Sequence, residues 1–427
     1  RIARRVLPVN EAALAVAAIV VWCVFRPAGN LIAPYAFAAL HGTLFALGAL
    51  LFVLRYSENK RLRELIASGA LIGLAAITKQ EFAFAAGVTL TAALLFIHRA
   101  EMKQAIKKLF IAALPAVLTV LPVVAVLVAK AGAQTLIEDC HLLYTHLPSS
   151  LVYYNSERTG FNHPLSSLVQ LLGGAAIAVI IVCALIAASL LIARWQISNT
   201  GHTSSQLLRR SFITLFVVGT LALIIKSITQ GRWDGSPLRA LPLILLVVLW
   251  QEWRAKRTES AQLFIIAAYS LAVLARVALR VPSGGAFGGF FLPTSLIVVV
   301  YLLTQRLPQF IERQTQSAKA SENVKLLAHS FLLVMLISTA IIFSIRFRKN
   351  YSFEIDTARG KLYATQSVGQ AMREAIDFLH AHTAPNEAVV VVPEGSDITF
   401  LAERTMPLRH QIMIPGLMSD VDEAKAI

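Results

Sequence analysis

The sequence predicts an α-helical polytopic membrane protein of about eleven transmembrane helices, followed by a small C-terminal α/β domain outside the membrane. Three observations carry this. Hydrophobic residues make up 56% of the 427-residue chain, and charged residues only 15%. Apolar stretches of about 15 to 25 residues recur along it, the length of helix that crosses a bilayer. The gaps between them alternate strictly between rich and poor in Lys and Arg.

The expected helices cover 8–26, 34–54, 64–79, 81–98, 109–129, 168–193, 211–228, 238–252, 262–279, 290–303 and 326–345. The gaps 1–5, 55–63, 99–108, 194–210, 254–260 and 304–325 together hold 21 Lys and Arg. The gaps 27–33, 79–81, 130–167, 229–237 and 280–289 hold 5. Positive charge stays on the cytoplasmic side, so the first set faces inward and the second set, with the tail after 345, faces outward. The expected layout is a helical bundle over 1–345 in the cytoplasmic (inner) membrane, with an outer loop at 130–167. An extracytoplasmic domain over 346–427 follows it.

The formal net charge of +15 could serve nucleic acid, but the basic residues sit in short clusters beside apolar runs. They read as topology signals and membrane-lipid contacts, and nucleic acid is not an expected partner. Of the three cysteines, Cys23 and Cys183 lie in apolar runs and Cys140 in a polar one, so no disulfide framework is expected. The opening Arg1-Ile-Ala-Arg-Arg imitates a signal peptide, without a start Met before it or a small-residue cleavage pattern after the apolar run. It is read as an internal helix of an N-terminally truncated chain. Asp422 to Ile427 likewise read as the start of an interrupted helix.

In the tail, Val368, Met372, Ala375, Ile376 and Leu379 give Gln366 to His382 helical periodicity. Ala388 to Val392 is a β-branched run suited to a buried strand, and Gly395-Ser396 offers a cap for a short helix through Glu403. With a second strand over Arg409 to Ile414, the order suggests a parallel β-α-β pair, incomplete at its C-terminus.

Chemistry is expected on the outer side, which carries the polar material. Thr78-Lys79-Gln80-Glu81 separates two segments of about 16 residues, each about 24 Å as helix, against a hydrocarbon core of about 30 Å. The turn is therefore expected to be recessed. Lys79 and Glu81 at that depth call for a cavity or partner, with snorkelling and helix capping as the bland alternative. Arg276 and Arg280 lie four apart at the outer end of 262–279, with no acid close by in sequence, and a planar guanidinium fork suits a phosphate. Gly284, Gly285, Gly288 and Gly289 follow them.

The loop 130–167 carries Glu138, Asp139, His141, Tyr144, His146, Tyr153, Tyr154, Glu157, Arg158, Asn162 and His163. Asp139, His141 and His146 could take a divalent cation, but their spacing matches no metal signature, and a solvated loop is the better reading. The Tyr and Asn content also suits carbohydrate, as does Arg232-Trp233-Asp234, which equally suits an interfacial anchor. Tyr35 opens the second helix. His41 lies about two turns deeper, where a membrane histidine usually bonds a neighbouring helix.

Asn30-Leu-Ile-Ala-Pro-Tyr-Ala-Phe-Ala-Ala-Leu-His-Gly, Gly73-Leu-Ala-Ala-Ile-Thr-Lys-Gln-Glu-Phe-Ala and Phe290-Phe-Leu-Pro, in that order, resemble the GT-C membrane glycosyltransferases. The likeness is to the family 39-like branch, relatives of protein O-mannosyltransferases and the lipid A aminoarabinose transferase. Val391-Val-Pro-Glu-Gly and Phe400-Leu-Ala-Glu-Arg-Thr-Met-Pro resemble that branch's outer domain. The resemblance implies transfer of a sugar from a polyprenyl-phosphate donor to a hydroxyl of a lipid, glycan or protein acceptor in the cell envelope. It implies Lys79, Arg276 and Arg280 at the donor phosphate. Tyr35, His141, Tyr153, Tyr154 and Arg158 are the sugar or acceptor candidates.

The family's acidic catalytic motif lies in its first outer loop, whereas the gap 27–33 here has no acid. The catalytic carboxylate is thus expected upstream of residue 1, with Glu81 and Asp139 as supporting acids. The chain fixes no cofactor, and a divalent cation is the one candidate. The alternatives are a secondary transporter or lipid flippase, disfavoured because no inverted repeat is visible, and a non-catalytic membrane scaffold whose tail binds a partner.

Overall fold

A computed structural model describes residues 1–25, 37–138, 147, 149–198, 211, 214, 218–219, 236–255, 261–281, 288–392 and 395–407. The expected helix 211–228, the strand 409–414 and the loop Arg232-Trp233-Asp234 lie largely or wholly outside these residues. The helices are α1 (Val9–Ile19, continued by a π turn Val20–Val24), α2 (Phe37–Asn59), α3 (Leu62–Thr78), α4 (Gln80–Ile97), α5 (Met102–Ala131), α6 (Ser149–Thr159) and α7 (Pro164–Ser198). A 3-10 turn Ser236–Ala240 precedes α8 (Leu241–Ala255), and α9 (Ala261–Leu274) runs into the 3-10 turn Ala275–Val277. Then come α10 (Gly288–Phe291), α11 (Pro293–Tyr301), a π segment Leu302–Arg306, α12 (Leu307–Thr315) and α13 (Ala318–Asn350). The tail adds β1 (Phe353–Thr357), β2 (Gly360–Ala364), α14 (Gln366–His382) and α15 (Ser396–Leu401).

Six helical stretches are long and apolar enough to cross a bilayer: Phe37–Asn59, Gln80–Ile97, Met102–Ala131, Pro164–Trp195, Pro293–Thr315 and Ala318–Asn350. Val9–Val24 and Ala261–Val277 are apolar but shorter. The coarse class, a largely helical membrane protein, therefore stands on six such helices among the described residues.

The chain divides into two compact units, residues 1–126 with 156–341 and residues 127–155 with 342–427. In the first, α2 packs on α3 and α4, and α9 packs on α4, α8, α2 and α11. Gly69 and Gly73 let α3 approach α5 at close range: a Cβ on Gly69 would overlap the Ala112 carbonyl oxygen, and one on Gly73 would lie 2.6 Å from that of Ala116. Phe96 stacks on Phe264 at 4.3 Å between ring centroids, joining α4 to α9. A second apolar cluster joins Leu185 and Ile192 of α7 to Ile311 of α12 and Val324 and Leu327 of α13.

Polar contacts in this unit sort by end. Arg5 pairs with Glu58, which also accepts from Gln262 Nε2 at 2.7 Å. The Tyr56 hydroxyl meets His98 Nε2 at 2.8 Å. Glu11 meets Lys325 Nζ at 3.0 Å and Gln305 Nε2 at 3.3 Å, and Arg306 meets Glu252 at 3.4 Å. All of these lie in or beside the Lys/Arg-rich gaps. At the other end, Arg276 reaches Glu81, Arg280 reaches Glu157, and the Leu279 amide donates to the Thr159 carbonyl at 3.2 Å. These join the Lys/Arg-poor gaps to one another. The charge alternation thus sorts residues to the same two ends of the bundle that the contacts do.

Two expectations fail. Residues 149–159, read as loop, form α6: Pro148 precedes it and Gly160 closes it at φ +89, the Pro-before, Gly-after order of a helix. Residues 388–392 form no strand. Ala388 makes only an isolated parallel bridge with Thr405. The sheet of the second unit is an antiparallel hairpin, Phe353 opposite Ala364 through Thr357 opposite Gly360. Its Ile355 and Ala364 pack with Ile376 and Leu379 of α14 and Leu401 of α15. A β-branched run becomes a strand only when a partner edge meets its backbone over several residues, and among the described residues only Thr405 meets this one. The helices Gln366–His382 and Ser396–Leu401 match the expected segments.

Candidate functional site

The Thr78–Glu81 turn is built by packing. The Lys79 amide closes α3 onto the Ala75 carbonyl at 2.7 Å, and the Phe82 amide starts α4 from the Lys79 carbonyl at 3.1 Å. Lys79 between them is extended, with φ −154 and ψ 101. Phe82 is fully buried against Phe291 and Phe290, with ring centroids at 5.8 and 6.4 Å, which anchors the turn to α10. Gly42 of α2 backs onto it: a Cβ there would lie 2.8 Å from Lys79 Cβ. Glu81 stands in the first turn of α4, where the positive end of the helix favours a carboxylate.

The α9 helix ends in the 3-10 turn Ala275–Val277, from which Arg276 pairs with Glu81 through Nη1 and Oε2. Arg276 and Glu81 are 35% and 27% exposed, so the pair is half open to its surroundings. The other oxygen, Glu81 Oε1, is buried with no hydrogen-bond partner among the described residues. Arg280 donates through Nη1 to the Glu157 carboxylate and, at 3.0 Å, to the Glu157 carbonyl. This second pair is 27% and 31% exposed. The Arg280 hydrogen bond holds the Glu157 carboxyl below the usual carboxylate range, opposed by burial and helped by the Arg280 charge and by Asn162.

The junction behind Arg280 is tight. The Gly160 and Phe161 amides both donate to the Ser156 carbonyl at 2.9 Å, and the Gly160 carbonyl accepts from the buried Ser167 hydroxyl at 2.9 Å. The left-handed φ of Gly160 makes that chain reversal possible, and a Cβ there would press on Leu279 Cβ at 2.9 Å and Arg280 Cγ at 3.2 Å.

Of the expected site residues, Arg276 is therefore joined to Glu81, two positions from Lys79, with Arg280 four positions on. In sequence no acid stood near the arginines. In three dimensions each has one, brought from 195 and 123 residues away. Glu157, named only among the polar residues of the loop, is the contributor that sequence reading missed, and no local signal marks it. Tyr153 and Tyr154 are exposed on α6, in the second unit, and Arg158 lies on the same helix. Tyr35, Asp139 and His141 lie outside the described residues, as does His146. His41 Nδ1 lies 2.9 Å from the Phe37 carbonyl of its own helix. Among the described residues no three His, Cys, Asp or Glu gather as a metal site.

No protein-family model, curated protein or solved structure matches this chain.

Proposed function

We propose that the chain is a membrane glycosyltransferase, of the GT-C kind its motifs resemble, moving a sugar from a polyprenyl-phosphate donor to an acceptor hydroxyl. In this reading the chain crosses the inner membrane about eleven times and the Arg276/Arg280 end faces outward, with the tail domain on that side. The observation that supports it is the pairing of Arg276 with Glu81, two residues from Lys79, and of Arg280 with Glu157, at the Lys/Arg-poor end of the bundle.

Sugar transfer breaks the bond between the anomeric carbon and the phosphate oxygen while the acceptor oxygen bonds that carbon and its proton leaves to a base. Phosphate departs with its charge, so the site must hold an anion at headgroup depth. Guanidinium forks that now hold carboxylates are matched to a phosphate of similar geometry. Glu81 Oε1, buried without a donor, is the acceptor atom in this cluster that an incoming hydroxyl would satisfy. No divalent cation is required for this charge balance. Acceptors of the lipid, glycan and protein classes are all compatible with it.

The test is transfer of labelled sugar from a polyprenyl-phosphate donor by the protein in membranes. Lys79→Ala and Arg276→Ala are each expected to slow turnover about a hundredfold, the scale for losing one donor to a developing anion. Unchanged turnover in both removes the phosphate assignment. Solute flux through proteoliposomes without any sugar transfer would replace the reading with a transporter.

A further inference from the structure

The opposite end of the bundle carries a strong positive patch that sugar transfer does not use. Because Gly69 backs onto Ala112 and Gly73 onto Ala116, α3 and α5 run parallel and begin at the same end. Lys60 and Arg61 precede α3, His98 closes α4, and Lys103, Lys107 and Lys108 occupy the first two turns of α5. His98 is held below its usual value by burial first, and then by the charges of Lys60 and Lys108, with Glu101 opposing. The contacts give the same placement for Lys60: the Tyr56 hydroxyl meets His98 Nε2 at 2.8 Å, and Lys60 Nζ lies 5.8 Å from the Tyr56 ring centroid, at the corner from which α5 starts. Of the nearby acids, Glu58 is taken by Arg5 and Gln262 and Glu64 lies 3.5 Å from Arg63, which leaves Glu101 as one exposed carboxylate among Lys60, Arg61, Lys103, Lys107 and Lys108. Lysines in the first turns of a helix oppose its dipole, so the sequence keeps them there against local preference.

An apolar surface adjoins the patch. Met102, Ile106, Phe110 and Leu114 recur every fourth residue along α5 and are all exposed, with Lys103 and Lys107 beside them. A cationic rim above an exposed apolar ridge matches a molecule with an anionic head and long acyl chains. A free phosphate would use only the rim. Anionic lipid attracts each lysine near the surface, and burial of the ridge under acyl chains adds to it.

From this complementarity we infer that the α3/α5 end binds an anionic phospholipid, its phosphate held by Lys60, Lys103, Lys107 and Lys108 and its chains laid along Met102, Ile106, Phe110 and Leu114. The site lies at the opposite end from the Arg276 cluster and does not depend on the sugar-transfer reading.

Native mass spectrometry of the full chain in detergent, titrated with phosphatidylglycerol, phosphatidylcholine or inorganic phosphate, tests it. Phosphatidylglycerol should bind in preference to phosphatidylcholine. The K103Q/K107Q/K108Q variant should weaken it on the order of a hundredfold, the product of three lysine contributions. K103R/K107R/K108R should retain it, and R313Q/K319Q, which removes exposed cations from another inner gap, should leave it unchanged. Equal binding of both lipids, an equal loss in R313Q/K319Q, or full occupation by inorganic phosphate alone would each overturn the assignment.

Discussion

The two ends of the bundle hold their charges in different ways. At the Lys/Arg-rich end, Glu11 and Glu252 are only 4% and 3% exposed. Lys325 and Gln305 meet the first of these carboxylates, and Arg306 meets the second. At the other end, Glu81 and Glu157 meet Arg276 and Arg280 in pairs about a third open. A buried pair cannot exchange its partner without leaving a desolvated charge, whereas a half-open pair gains little over its separated, solvated ions. Burial thus sets Glu11 and Glu252 apart from Glu81 and Glu157, and also from Glu58, whose pair with Arg5 at the Lys/Arg-rich end is as open as those at the other end. Both kinds of pair look alike as charges in a sequence, and burial alone tells them apart.

Breaking the buried Glu11 pair should have the largest effect. Lys325→Met leaves the buried Glu11 carboxylate with Gln305 and His329 but without its lysine, and is expected to cost about 1–3 kcal/mol of stability. Denaturant unfolding in detergent measures it, and Glu11→Gln added to Lys325→Met should recover much of the loss. Gly42→Val comes next: the new side chain meets Lys79 and Phe82, costs about 1–3 kcal/mol by overpacking, and should depress sugar transfer more than it depresses the folded yield. At the open end, Glu157→Gln should leave the same unfolding curve almost where it was, as expected for a solvent-screened pair. A loss as large as that of Lys325→Met would erase the contrast between the ends.

The smallest effect expected is on pH. The Glu157 carboxyl is depressed in the folded chain, so its contribution is present above the ordinary value of 4.5 and is lost as pH falls through the lower folded value. Hydrogen exchange of residues 156–163, corrected for intrinsic rate, should show protection falling only below about pH 4.5. Loss of protection near neutrality would mean that another group controls the segment.

Much of this organisation was readable in the chain. Period and gap charge located α3, α4 and α14 within a residue or two, because those segments are long, strongly patterned and bounded by charge. The same alternation sorted the ends, since Arg5, Glu58, His98 and Lys325 are all flanked by Lys/Arg-rich gaps. The helix at Ser149–Thr159 was missed because its polar composition hides the period, although Pro148 and Gly160 bracket it. The run Ala388 to Val392 misled because its strand character depends on a neighbour that local sequence does not specify. The pairing of Arg276 with Glu81 and of Arg280 with Glu157 was illegible for the same reason. Long-range charge pairing is set by how α4, α6 and the end of α9 come together, and that is decided by packing such as Phe82 on Phe290 and Phe291.

The central claim is that the open end binds the anionic head of a lipid carrier, and direct binding of polyprenyl phosphate to the full chain measures it with no chemistry involved. Arg276→Gln combined with Arg280→Gln should weaken that binding at least about tenfold, the scale of one lost charge-assisted contact, while K103Q/K107Q/K108Q at the opposite end leaves it unchanged. Equal affinity in the arginine variant and the unaltered chain would contradict the account.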